Sequence, residues 1–145
     1  LRVVGDGPEM AELYRRSLDL GIRGAVDWYG AIWRRDLVLP LVAGSHVFVS
    51  ASRFEGMPIS ILEAMAVGLP MVLSDIPPHR EVAGEGATYF SPDRPRELAD
   101  RLGELAADPE LVERLRAASA ARARQVDPDR GVDAHLDVYR TAVAR

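Results

Sequence analysis

A chain of 145 residues, 48% apolar and 28% charged, has the length and balance of a soluble domain with a single sizeable core. A formal charge of -4, with arginines scattered rather than clustered, argues against a nucleic-acid partner and gives no support to binding an anionic membrane surface. The absence of cysteine excludes disulfides and thiolate chemistry, and no apolar run approaches the roughly 18 residues of a bilayer span.

Residues 1–5 form a β-branched run closed by D-G-P, a strand followed by a turn. Over 8–20, Met10, Leu13, Tyr14 and Leu18 recur at helical spacing, with Gly21 as the stop. Residues 25–29 read as a second strand ended by Gly30. The stretch 34–43 reads as a helix in which Pro40 marks a kink or an irregular start. Residues 46–50 make a third strand, followed by a loop over 53–57. Pro58 suits the first position of a helix continuing over 59–67 to Gly68. Residues 71–74 and 87–90 are the fourth and fifth strands, and only a short helix fits between them, over 77–83. Strands joined by brief helical crossovers predict the α/β class: a Rossmann-like, mostly parallel sheet with helices on both faces.

The last third is helical. One helix covers 95–107, and Asp108-Pro109 starts another with a capping aspartate and a first-turn proline. Leu111, Leu115 and Ala118 give it a buried stripe. Asp127-Pro128-Asp129 caps a final helix whose one face carries Val132, Leu136, Tyr139 and Val143. With no repeat and no linker, residues 1–145 read as one domain. Opening at Leu1 without methionine, inside an apolar run, the chain reads as a piece of a longer protein.

The informative stretch is E-G-M-P-I-S-I-L-E-A-M-A-V-G-L-P, from Glu55 to Pro70. It follows the carboxyl end of a strand, where ligands bind in open α/β sheets. Gly56 permits a tight turn and close approach by a ligand. Pro58 gives up an amide that a helix start leaves unpaired, and the amides of Ile59 and Ser60 are expected to point outward. With the helix dipole behind them, they would favour a phosphate or diphosphate. Glu63 is the only charged residue between Ile59 and Val67, so its carboxylate is expected to be partly buried and to need partners. A ribose diol offers two adjacent donors to such a group. Glu55, in the loop before the same helix, could grip another part of that ligand. Taken singly, each glutamate also has a plain structural reading, as a dipole partner or a solvated side chain. Their combination after a buried strand favours a site.

The Glu55-x7-Glu63 spacing, the E-G-M-P and L-E-A-M-A segments, G-L-P-M-V-L-S-D, D-I-P-P-H-R-E-V-A-G-E-G-A-T-Y-F-S-P and the opening V-V-G-D-G-P together resemble the family-4 retaining glycosyltransferases. The resemblance covers nearly the whole chain. It implies the C-terminal, donor-binding half of a GT-B enzyme, with extra C-terminal helices. Glu55, the residue assigned to catalysis, would bind hydroxyls of the donor sugar, and Glu63 the ribose. Backbone groups of Gly56, Met57 and Pro58 would face the sugar, and Ile59 and Ser60 would hold the diphosphate. Gly30, Ala31 and Ile32 match the family's base-binding loop. Many members carry Phe-Gly where this chain has Met57-Pro58, which leaves the sugar's identity open. The resemblance further implies a nucleotide-diphosphate sugar as co-substrate, with no separate cofactor and no metal. A sugar, lipid-linked or small-molecule acceptor would be held by an N-terminal domain outside this chain. That domain could also make peripheral contact with the inner membrane face of a cytoplasmic protein. The family's basic pair for the diphosphate would precede Leu1, so the isolated piece is expected to be inactive.

Other signals weigh less. Gly5-Asp6-Gly7-Pro8-Glu9-Met10 has Met10 where a dinucleotide fingerprint needs its third glycine. Asp127-Pro128-Asp129 spells a metal-binding D-x-D but precedes a helix, where capping is the simpler role. Asp133, His135 and Asp137 alternate along a helix and do not share a face. His79, Arg80 and Glu81 either line the cleft or anchor their loop. Two other function classes compete: a non-catalytic Rossmann-like nucleotide-binding module, and another GT-B enzyme such as a sugar-nucleotide epimerase. A phosphorylase would need a pyridoxal-phosphate lysine, and the chain has no lysine.

Overall fold

A computed structural model describes residues 1–126 and 139–142. Asp127-Pro128-Asp129, Asp133, His135, Asp137 and most of the predicted final helix lie outside the described residues. Residues 139–142 are helical, and Tyr139 is exposed. The chain divides into two compact units, Leu1–Gly44 and Ser45–Arg145.

In the first unit, strand β1 (Arg2–Val4) is followed by helix α1 (Met10–Asp19), a 3-10 turn at Arg23–Ala25, strand β2 (Asp27–Gly30) and helix α2 (Arg35–Ala43). The two strands pair in parallel, with Arg2 opposite Asp27 and a register shift between Val3 and Val4. Helix α1 begins two residues later than its apolar spacing implies. The 6–9 segment turns first, with the Gly7 amide donating to Asp6 Oδ1 at 2.7 Å and the Met10 amide to the Gly7 carbonyl at 3.1 Å. Pro40 sits inside α2 rather than ending it. The carbonyls left open at the C-terminus of α2 are met by the Arg2 guanidinium, which donates to Leu41 O at 3.2 Å and Gly44 O at 3.0 Å.

The second unit holds strand β3 (Phe48–Ser50), helix α3 (Ile59–Ala66), strand β4 (Met71–Ser74) and helix α4 (Pro77–Ala83). A 3-10 turn (Gly84–Gly86), strand β5 (Ala87–Phe90) and helices α5 (Pro95–Ala107) and α6 (Pro109–Ala123) complete it. Its sheet has the order β3-β4-β5, all parallel, with Met71 opposite both Phe48 and Ala87. All four residues of β4 are buried, as befits a central parallel strand covered on both faces. The expected parallel pairing is therefore present, divided between a two-stranded and a three-stranded sheet.

Val72, Phe90, Leu105 and Leu115 form the buried cluster, with Val49, Leu98 and Leu111 packed against it. Helix α3 contributes a separate buried face through Ile61, Ala64 and Met65. Asp108 caps α6 as its sequence implies, accepting from the Leu111 amide at 3.0 Å. The buried stripe of α6 is displaced from the expected one. Leu115 and Ser119 are buried, whereas Ala118 is only half-buried. The cause is the glycine facing it. A Cβ on Gly86 would lie 2.8 Å from Ser119 Cα, so the helix backbone approaches a position that only glycine leaves open. Arg122 fixes the same contact, donating to Val82 O at 3.0 Å and Glu81 O at 2.7 Å.

Candidate functional site

The loop between β3 and α3 carries the first carboxylate and the helix start. Gly56, Met57, Ile59 and Ser60 are all exposed, Met57 by 70%, while Pro58 is buried beneath them. Pro58 has φ -80 and ψ 82, and the Ile59 amide donates back to the Met57 carbonyl at 3.0 Å. This is an inverse γ-turn centred on the proline, whose ring already confines φ to that region. Pro58 is therefore the residue before the helix rather than its first member. Its carbonyl accepts from the Ile61 amide at 3.0 Å. The expectation of two outward amides is corrected accordingly. That of Ile59 is turned onto Met57, and that of Ser60 makes no hydrogen bond within the described residues.

Glu55 is half-buried and accepts a hydrogen bond from Ser52 Oγ at 2.6 Å. Glu63 is also half-buried, in the second turn of α3 and next to the fully buried Ala64. That is the partial burial its apolar neighbours imply. The base-loop candidates belong to the first unit, at the end of β2. Gly30 takes a left-handed φ of 66, and its carbonyl accepts from the Gly5 amide at 2.8 Å. Ala31 beyond it is exposed and Ile32 half-buried.

Sequence reasoning did not see the polar network beneath Glu55. Ser74, at the end of β4, is buried and donates from Oγ to the Ser52 carbonyl at 2.5 Å. His79, fully buried in α4, places Nδ1 at 2.9 Å from Ser74 O and 3.1 Å from Ser74 Oγ. A carbonyl only accepts, so Nδ1 carries the proton. Ser50 Oγ lies 3.4 Å from Ser52 Oγ at the outer end. Ser74 lies in the G-L-P-M-V-L-S-D segment and His79 in P-P-H-R-E, but neither segment showed that the two side chains meet or that Ser52 joins them to Glu55.

The structure gives His79 the anchoring role rather than a cleft-lining one. Its neighbour Arg80 holds Asp75 through two bonds, one of them Nη2 to Oδ2 at 2.8 Å, and stacks over the Tyr89 ring at 4.3 Å from the centroid. Hydrogen bonding to Arg80 holds the Asp75 carboxyl below the usual carboxylate range, and burial pushes the Tyr89 hydroxyl up. Glu81 is exposed. Among the described residues, no group of three or more His, Asp or Glu side chains could hold a metal ion. No helix of the described residues is long and apolar enough to cross a membrane.

The parallel α/β fold of this chain, with a tight loop and a carboxylate leading into a helix at a strand's carboxyl end, matches GT-B glycosyltransferase structures. Residues 1–122 match the family model "Glycosyl transferases group 1", and the chain belongs to that family. It is 32% identical over 128 residues to the D-rhamnosyltransferase WbpZ of Pseudomonas aeruginosa, covering 86% of this chain and 33% of that protein. Its fold superposes on sucrose-phosphate synthase from Thermosynechococcus elongatus with a TM-score of 0.83 at 21% identity, over 99% of this chain and 38% of that one. HepE of Anabaena, solved in complex with UDP-glucose, matches with a TM-score of 0.74 at 25% identity, over 86% and 35% of the two chains. The chain thus spans about a third of the length of these three proteins.

Proposed function

We propose that residues 1–145 supply the donor site of a family-4, retaining glycosyltransferase, which moves a sugar from a nucleotide-diphosphate sugar to an acceptor hydroxyl. The observation carrying this reading is the unpartnered Ser60 amide at the start of α3, with the half-buried Glu55 before it and Glu63 one turn later. In this reading Glu55 accepts from hydroxyls of the donor sugar, against the backbone of Gly56, Met57 and Pro58. Ser60 holds the diphosphate. Ile59 joins it only if ligand oxygens displace the Met57 carbonyl from its amide. Glu63 accepts from the ribose.

The bond from the anomeric carbon to the diphosphate breaks while a bond to the acceptor oxygen forms on the same face. The acceptor's proton passes to the departing diphosphate. The chain's contribution is electrostatic, since a helix start stabilises the charge that develops on the leaving group. No protein nucleophile, metal or separate cofactor takes part. The acceptor, whether a sugar, a lipid-linked or a small molecule, belongs to a further domain of a cytoplasmic protein working at the inner membrane face. HepE's complex with UDP-glucose and the sugar-transferring names of the relatives support this reading over an epimerase or a non-catalytic module.

Calorimetric titration of the full-length protein with UDP, GDP and ADP, beside Glu63→Ala, tests it. One nucleotide is expected to bind tightly, with affinity falling about tenfold or more in the variant. Binding of none, or binding indifferent to Glu63, would sink the assignment and leave the non-catalytic module.

A further inference from the structure

The network under the loop fixes one carboxylate and leaves the helix start alone. Ser52 contributes two groups to it. Its hydroxyl donates to Glu55 Oε1 at 2.6 Å, and its carbonyl accepts from Ser74 Oγ at 2.5 Å, a contact between residues 22 positions apart. Ser74 has one proton and spends it on Ser52. The Nδ1 proton of His79, shared between Ser74 O and Oγ at 2.9 and 3.1 Å, keeps that hydroxyl turned outward. Ser74 and His79 are fully buried, in a central strand and in the helix that follows it. A half-buried loop carboxylate is thereby tied to the buried centre of the sheet.

We infer that Ser74 and His79 are positioning residues for Glu55, acting through Ser52 to hold its carboxylate ready for a donor-sugar hydroxyl. The inference rests on the donor-site reading above. It explains an arrangement that stability alone does not require. Stability accounts for the inner bond, since an apolar residue at 74 would strand the Ser52 carbonyl, but the Ser52 hydroxyl's bond to Glu55 at 2.6 Å serves to orient the carboxylate. Fixing the carboxylate before the sugar arrives removes an ordering cost that would otherwise fall on binding the sugar.

The test compares UDP with UDP-glucose, and GDP with GDP-mannose, on the full-length protein by calorimetry. The readout is the affinity each sugar adds to its nucleotide. Ser74→Ala and Ser52→Ala should each cut that increment about tenfold while leaving free-nucleotide affinity unchanged, and Ser52→Thr should restore it. Ser74→Cys, with similar volume and a weak donor, serves if the alanine variant does not fold. Glu55→Gln separates the two claims. If it removes the increment and the serine variants do not, the positioning role fails and the donor reading stands. If it changes nothing, the sugar-binding role of Glu55 fails and the inference falls with it. Equal losses for nucleotide and nucleotide sugar would make the network merely structural and overturn the inference. Failure of every ligand to bind would remove the donor site itself.

Discussion

At the scale of single residues, the chain uses carboxylates in two ways. Glu55 and Glu63 are half-buried beside a helix start, whereas Asp75 and Glu97 do structural work at turns. Glu97 accepts from the Ser91 amide at 2.8 Å and from Arg94 at 3.1 Å, and these bonds, the amide first, hold its carboxyl below the usual range. Asp75 is lowered chiefly by its hydrogen bonds to Arg80. A carboxyl whose folded-state value is depressed stabilises the fold at pH above its unfolded value, near 4, and loses that contribution as pH falls through the folded value. Stability should therefore decline on the acid side of about pH 4, and Asp75→Asn and Glu97→Gln should each flatten that limb. Urea midpoints recorded between about pH 6 and pH 2 check this. A variant limb as steep as wild type would show that the bonds carry no net linkage. Each effect should be modest, because exposed pairs are screened by solvent.

At the scale of elements, packing revises patterns that periodicity proposes. Helix α6 buries Ser119 because the Gly84–Gly86 turn meets it backbone to backbone. Gly86→Ala would set a methyl 3.0 Å from Ser119 N and 2.8 Å from its Cα, atoms that no rotamer change can move. The variant should lose about 1–3 kcal/mol, the usual cost of overpacking, as a lower denaturant midpoint with an unchanged slope. A midpoint within error of wild type would mean that α6 can shift away at no cost. Helix α3 follows the same rule at its start, where Pro58 closes a γ-turn instead of opening the helix. Some boundaries were legible all the same. The 95–107 helix and the 71–74 and 87–90 strands stand where their punctuation placed them, because prolines, glycines and an aspartate cap act locally.

At the scale of the whole molecule, burial is unevenly shared. Within Leu1–Gly44, the buried residues among those described are Val26 and Ser17, whereas all of β4 and much of α3 are buried within Ser45–Arg145. Local opening is cheapest where little apolar surface is covered. Native-state hydrogen exchange should therefore find the Met71–Ser74 amides the slowest and the paired amides of Arg2–Val4 and Asp27–Gly30 faster by at least about tenfold. Equal protection in the two sheets would show that they open as one cooperative unit.

The sequence by itself determined the α/β class, the parallel strands, the limits of α4 and α5, and the Glu55-to-Glu63 stretch as the candidate site. These depend on periodicity, turn chemistry and motif spacing, which operate within a few residues of one another. Only the tertiary structure decided what joins Ser52 to Ser74 and His79, which face of α6 is buried, where the Ile59 amide points, and that the strands pair in two sheets. Those outcomes rest on contacts between residues far apart in the chain, and on hydrogen bonds whose donors have more than one acceptor in reach. A local pattern restricts such choices, but the packed fold makes them.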